Sequence, residues 1–97
     1  MNISEFMIFL DNRTGKHPCT GVTYVSPFSF QIQDKTYRLI GAFFNVERSW
    51  QIFDEGTEKT ATFETIDQLL CEYMVGNRPL IDCLPEISNI QDIFLCL

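Results

Sequence analysis

The sequence predicts an α+β fold, a single domain over residues 1–97 in which an antiparallel β-sheet carries one main α-helix on one face. Three observations predict it. The stretch FETIDQLLCEYMV has helical periodicity with both ends marked. FSFQIQ and the segments after it alternate with a period of two. The length, 97 residues, suits one two-layer core rather than several domains.

The helix is the best-defined element. Ile66, Leu69, Leu70, Tyr73 and Met74 fall at i, i+3, i+4, i+7 and i+8, one face of an α-helix, with Asp67, Gln68, Cys71 and Glu72 opposite. Thr65 and Gln68 form a T-x-x-Q capping box. Glu64 and Asp67 place negative charge at the positive end of the helix dipole. Gly76 is a left-handed C-cap and Pro79 blocks continuation, so the expected helix spans residues 65–75. A helix of about three turns is marginal alone in water and needs an apolar surface to dock on.

Residues 5–10, with Phe6, Ile8 and Leu10 on one side and Met7 and Phe9 on the other, read as a strand covered on both faces, with a short buried helix as the alternative. DNRTGKHPCT is a loop by its Asn, Gly and Pro. Residues 22–25 form a short strand ended by Ser26-Pro27. In FSFQIQ, Phe28, Phe30 and Ile32 face in, while Ser29, Gln31 and Gln33 face out. Asp34-Lys35 turns the chain into a second arm over residues 36–46, with Tyr37 and Leu39 on one face and Arg38 and Ile40 on the other. Gly41 marks a bulge or bend. SWQIF and residues 60–63 are strands joined by the turn DEGTEK, where Gly56 is expected to take a positive φ. Residues 79–84 form a helical turn with Pro79 at its start, ended by Pro85. Residues 88–91 are a turn, and DIFLCL is a last strand or docked tail.

Composition narrows the function. Nearly half the residues are hydrophobic, which marks a folded chain. No stretch approaches the ~20 apolar residues that cross a bilayer, and the amino-terminal segment lacks the basic region and cleavage site of a signal peptide. Cys19, Cys71, Cys83 and Cys96 show no C-x-x-C spacing, so they read as reduced thiols in a cytoplasmic protein. The net charge of −6 is uneven. Through Phe53 the bases Arg13, Lys16, Lys35, Arg38 and Arg48 outnumber the acids Glu5, Asp11, Asp34 and Glu47 by one. From Asp54 onward nine acids face only Lys59 and Arg78. That half disfavours nucleic acid, whose affinity comes from neutralised phosphates, and suits a basic protein.

No catalytic motif emerges. His17 and Cys19 are close in sequence, but nucleophile and base seldom orient that way between near neighbours, and no third group is evident. Zinc commonly takes its ligands in close pairs, which the cysteines and His17 do not form. DEGTEK does not match a calcium loop. Phe43, Phe44 and Trp50 have too few bases beside them, only Arg38 and Arg48, to form a single-stranded nucleic-acid platform. The expectation is therefore a non-enzymatic protein without cofactor or metal. Its contact surface would be the carboxylates of Asp54, Glu55, Glu58, Glu64, Asp67 and Glu72, for which a plainly solvated surface is the alternative.

The segment TATFETIDQLLCEYMVGNRPLIDCLPEI, in a short, acidic, strand-rich chain, resembles the small cytoplasmic immunity proteins of bacterial polymorphic and contact-dependent toxin systems. The resemblance implies an inhibitor that binds a basic toxin nuclease domain and covers its active site; it carries over no site residue. Two other readings stay open: a subunit of an oligomer or assembly joined through sheet edges such as FSFQIQ or DIFLCL, and a small enzyme using Cys19 or a carboxylate pair.

Overall fold

The chain begins with a helix, where alternation suggested a strand over residues 5–10. In the computed structural model, which describes residues 1–43 and 48–93, α1 spans Ile3–Asn12. An N-x-x-E capping box starts it: Asn2 Oδ1 accepts from the Glu5 amide at 2.8 Å, and Glu5 Oε1 from the Asn2 amide at 3.1 Å. Phe6 and Leu10, one turn apart, are its buried face, whereas Ile8 is exposed. An apolar run of this length has no decisive period, and the cap settles it as a helix.

Five strands then pair antiparallel in sequence order: β1 Thr14–Lys16, β2 Thr23–Ile32, β3 Lys35–Phe43, β4 Arg48–Asp54 and β5 Lys59–Phe63. The strand expected over residues 22–25 does not stop at Ser26-Pro27. β2 runs through them with a bulge between Val25 and Phe28, opposite Leu39–Gly41 of β3. A proline is tolerated at a bulge because no ladder hydrogen bond needs its missing N–H. The β2–β3 turn falls on Gln33 and Asp34, one residue earlier than expected, with Gln33 at φ 58° and Ile32 paired to Lys35. Gly41 lies directly across from Trp50, and a Cβ there would meet the indole at 3.0 Å. Its function is thus close approach of an aromatic ring, not a bulge of its own. In the β4–β5 turn the positive φ belongs to Glu58 (58°) and not to Gly56; Gly56 instead donates its amide to Asp54 Oδ1 at 2.9 Å.

Among the described residues three short helices, rather than one main helix, complete the layer over the sheet. Besides α1 there are α2, Ile66–Glu72, and α3, Leu80–Cys83. α2 stops earlier than residue 75. Thr65 caps it as expected, accepting from the Gln68 amide at 3.1 Å, but Gln68 Oε1 accepts from the Glu64 amide and not from Thr65. At Tyr73 the backbone is already extended (ψ 121°) and enters a hairpin, β6 Met74–Val75 and β7 Arg78–Pro79. Gly76, at φ 66°, turns that hairpin instead of closing a helix. Met74, the last member of the predicted stripe, is consequently 51% exposed. After α3 a 3₁₀ turn, Leu84–Glu86, runs through Pro85.

The last described strand overturns another expectation. Residues 88–91 are not a turn: β8, Ile87–Asp92, pairs antiparallel with β2. β1 and β8 thus share one flank of β2, β1 along Thr23–Val25 and β8 along Phe28–Ile32, with the β2 bulge at the seam. Ser88 and Gln91 looked like turn residues because β8 is almost wholly exposed and Asn89, at φ 52°, kinks it. The expectations for Phe44, Val46 and Cys96 fall outside the described residues, as does most of DIFLCL.

One buried cluster lies between sheet and helices. The sheet contributes Val25, Phe28, Phe30, Ile32, Tyr37, Leu39, Trp50 and Ile52; Leu69, Leu70, Leu80, Cys83 and Leu84 join Phe6 and Leu10 above it. Phe30 and Tyr37, paired across β2 and β3, stack at 5.6 Å. Among the described residues no polar or charged side chain is buried. The residues of opposite parity, among them Gln31, Arg38, Gln51 and Thr62, point away from the helices and are exposed or half-buried.

Candidate functional surface

The six carboxylates expected to contact a partner fall into two groups joined by β5. Asp54, Glu55 and Glu58 surround the β4–β5 turn; Glu64, Asp67 and Glu72 follow β5 on its far side, before and along α2. All are exposed except Asp54, which is half-buried. Glu55 is committed internally: Arg38 Nε donates to its Oε1 at 2.6 Å, while the Arg38 guanidinium lies 5.8 Å from the Phe53 ring. Asp54 accepts the Gly56 amide. The other four have no ion-pair partner among the described residues, where the remaining pairs are Arg13 with Asp92 and Arg78 with Glu86.

Asp54 also reaches inward. Tyr37 and Tyr73 meet edge-to-face, ring centroids 6.1 Å apart, beneath the end of α2. Burial pushes the Tyr73 phenol up to about 12, with Tyr37 and the Asp54 charge adding to the effect. Burial, then Asp54, raises Tyr37 as well. Folding therefore favours the protonated phenols. That contribution is fully present below the ordinary tyrosine value of 10.0 and is lost as pH rises toward about 12. Urea midpoints measured across that interval should fall with pH, and Tyr73→Phe should flatten the fall. An unchanged slope in the variant would show that Tyr73 does not titrate in this way.

The remaining candidates are placed by the structure as follows. His17 closes a tight turn: its Nδ1 accepts the amides of Cys19 and Thr20, both at 3.2 Å, and its carbonyl accepts from Gly21 at 2.9 Å. An imidazole nitrogen engaged in this way is a turn cap. Cys19 and Cys71 are exposed and Cys83 is buried. Among the described residues no three His, Cys, Asp or Glu side chains converge as a metal site. Trp50 is a core residue and no exposed platform. Hollows among the described residues include one of about 260 Å³ over Arg38, Ile40, Gln51, Phe53 and Thr60 on the open sheet face, and one of about 150 Å³ between the β2–β3 turn and the β6–β7 hairpin. No helix among the described residues is long and apolar enough to cross a membrane.

Sequence reasoning missed Arg13, which was counted only as a base in a loop. It occupies the seam between β1 and β8. Its Nε and Nη2 donate to the carbonyls of Ser26 and Pro27, each at 3.0 Å, and its Nη1 lies 2.6 Å from Asp92 Oδ1. The guanidinium also lies 5.3 Å from the Phe9 ring centre and 5.1 Å from that of Phe28. No local pattern announces this, because apart from Phe9, one turn back in α1, the partners come from two distant strands, β2 and β8.

These features define a two-layer α+β domain with an outward-facing acidic surface. Comparison with protein-family models, with curated proteins and with solved structures gives no match for the chain.

Proposed function

We propose that the protein is a non-enzymatic, acidic binding protein that inhibits a basic protein partner, in the manner of an immunity protein neutralising a toxin nuclease inside the cell. One observation carries the reading: Glu58, Glu64, Asp67 and Glu72 stand exposed without an internal cation among the described residues. Carboxylates left in water keep their long-range field, and that field accelerates encounter with a cationic surface. A nuclease groove is cationic because it holds phosphates, so carboxylates can occupy it in their place. The engagement of the His17 ring nitrogen by the Cys19 and Thr20 amides fits a protein that acts by covering a surface.

The test is affinity capture from the host followed by titration of the captured complex with salt. The triple variant Glu58→Lys, Glu64→Lys, Glu72→Lys, which breaks no internal ion pair seen among the described residues, should weaken binding by at least roughly tenfold, more at low salt. A partner that is not basic, or an affinity indifferent to both salt and the triple variant, contradicts the reading.

A further inference from the structure

The edge of the sheet at β5 is open and regular, and its direction can be read from one bond. The Glu55 amide donates to the Thr36 carbonyl at 3.1 Å, so the odd-numbered residues of β4 bond toward β3 and the even-numbered ones toward β5. Trp50, Ile52 and Asp54 face Phe63, Ala61 and Lys59. The amides and carbonyls of Thr60 and Thr62 therefore point away from the sheet, and no strand, helix or side chain among the described residues takes them up. The next outward amide, that of Glu64, is already held by Gln68. β8, by contrast, is kinked at Asn89 with a register shift opposite β2, which turns that edge away from a flat partner.

Resting on the function proposed above, we infer that an extended, lysine- or arginine-bearing segment of the partner adds as a strand along Thr60–Thr62. Charge selects this occupant. β5 is bracketed in sequence by Glu58 and Glu64, and its one base, Lys59, is outnumbered by the carboxylates of the turn and α2. A second copy of the chain fits poorly in the register that pairs Thr60 of each copy with Thr62 of the other. Self-pairing centred on Ala61 keeps the buried faces aligned but sets Glu58 of each copy opposite Glu64 of the other, and like charges directly across a ladder repel.

The probe is a capped octapeptide of alternating lysine and valine, with its glutamate–valine counterpart as control, titrated against the full chain at low salt. Hydrogen exchange at the Thr60 and Thr62 amides should slow on binding the lysine peptide and not with the glutamate peptide. Thr62→Pro removes an outward N–H that the fold does not use and keeps an edge-compatible backbone. It should weaken binding by roughly tenfold or more, whereas Thr62→Ala should not. An unchanged far-ultraviolet spectrum and urea midpoint for Thr62→Pro secure the comparison; if that variant unfolds, the two amide exchange rates decide alone. No binding of the lysine peptide, unprotected amides, or a dimer that Thr62→Pro abolishes each overturn the inference. If the peptide binds with those amides unprotected but is lost with the Glu58, Glu64 and Glu72 reversals, only strand addition fails and the acidic-surface function stands.

Discussion

Replacing Phe30 by alanine is expected to lower the free energy of unfolding by about 3–5 kcal/mol. The ring is 1% exposed, stacks on Tyr37 at 5.6 Å and lies 5.9 Å from Phe28. Its removal opens a cavity at the centre of the aromatic row on β2 and β3. The neighbours cannot close it, because Phe28 is held edge-on against Phe9 at 4.9 Å and Tyr37 against Tyr73. Domains of this size are stable by only about 5–15 kcal/mol, so the loss is a large fraction of the total. Phe30→Leu, which keeps most of the volume, should lose less than half as much. Urea unfolding followed by Trp50 fluorescence measures both. A drop below about 1 kcal/mol for the alanine variant would mean that the row is not the centre of the core.

The second large effect belongs to Arg13. Arg13→Ala is expected to destabilise the fold by about 2–4 kcal/mol, because two carbonyls at the β2 bulge lose charge-assisted donors and two rings lose a stacked cation. Arg13→Lys should recover little of it, since an ammonium cannot reproduce a planar fork aimed at three oxygens. The carboxylate matters least. The Asp92 side chain is 60% exposed against 16% for Arg13, so Asp92→Asn should change stability by less than about 1 kcal/mol. Equal losses for Arg13→Ala and Asp92→Asn would show that the ion pair, and not the backbone contacts, holds the seam.

The difference between Arg13 and Phe30 marks how far the sequence is legible. Phe28, Phe30 and Ile32 announce their burial through a period of two, but the register of β2 on β3 does not follow from it, because the turn falls on Gln33 and Asp34 and pairs Ile32 with Lys35. β4, β5 and the Thr65 cap are equally local and could be read directly. α1 was readable too, but from Asn2 and Glu5 rather than from its apolar run, whose two faces are both greasy. What could not be read is set by distant partners. β8 is a strand only because β2 offers it a flank, and nothing in its polar composition says so. α2 is short because the hairpin at Gly76 draws Tyr73 and Met74 out of the helix. The carboxylates of the candidate surface were legible as charge, and their exposure follows from the turn and from the polar side of α2. That Glu55 would be tied to Arg38 was not, since the two meet only through the pairing of β3 with β4.

The shared flank of β2 has a consequence for biosynthesis. Ile32 is paired with Ile87, far along the chain. At about 5–20 residues per second of translation, that partner leaves the ribosome on the order of several seconds later. In the interval the Phe28–Ile32 flank of the nascent chain lacks the strand that will cover it, which is the window in which chaperones would be needed. Emergence of β8, rather than growth of the early hairpins, then sets when this flank of the sheet can close.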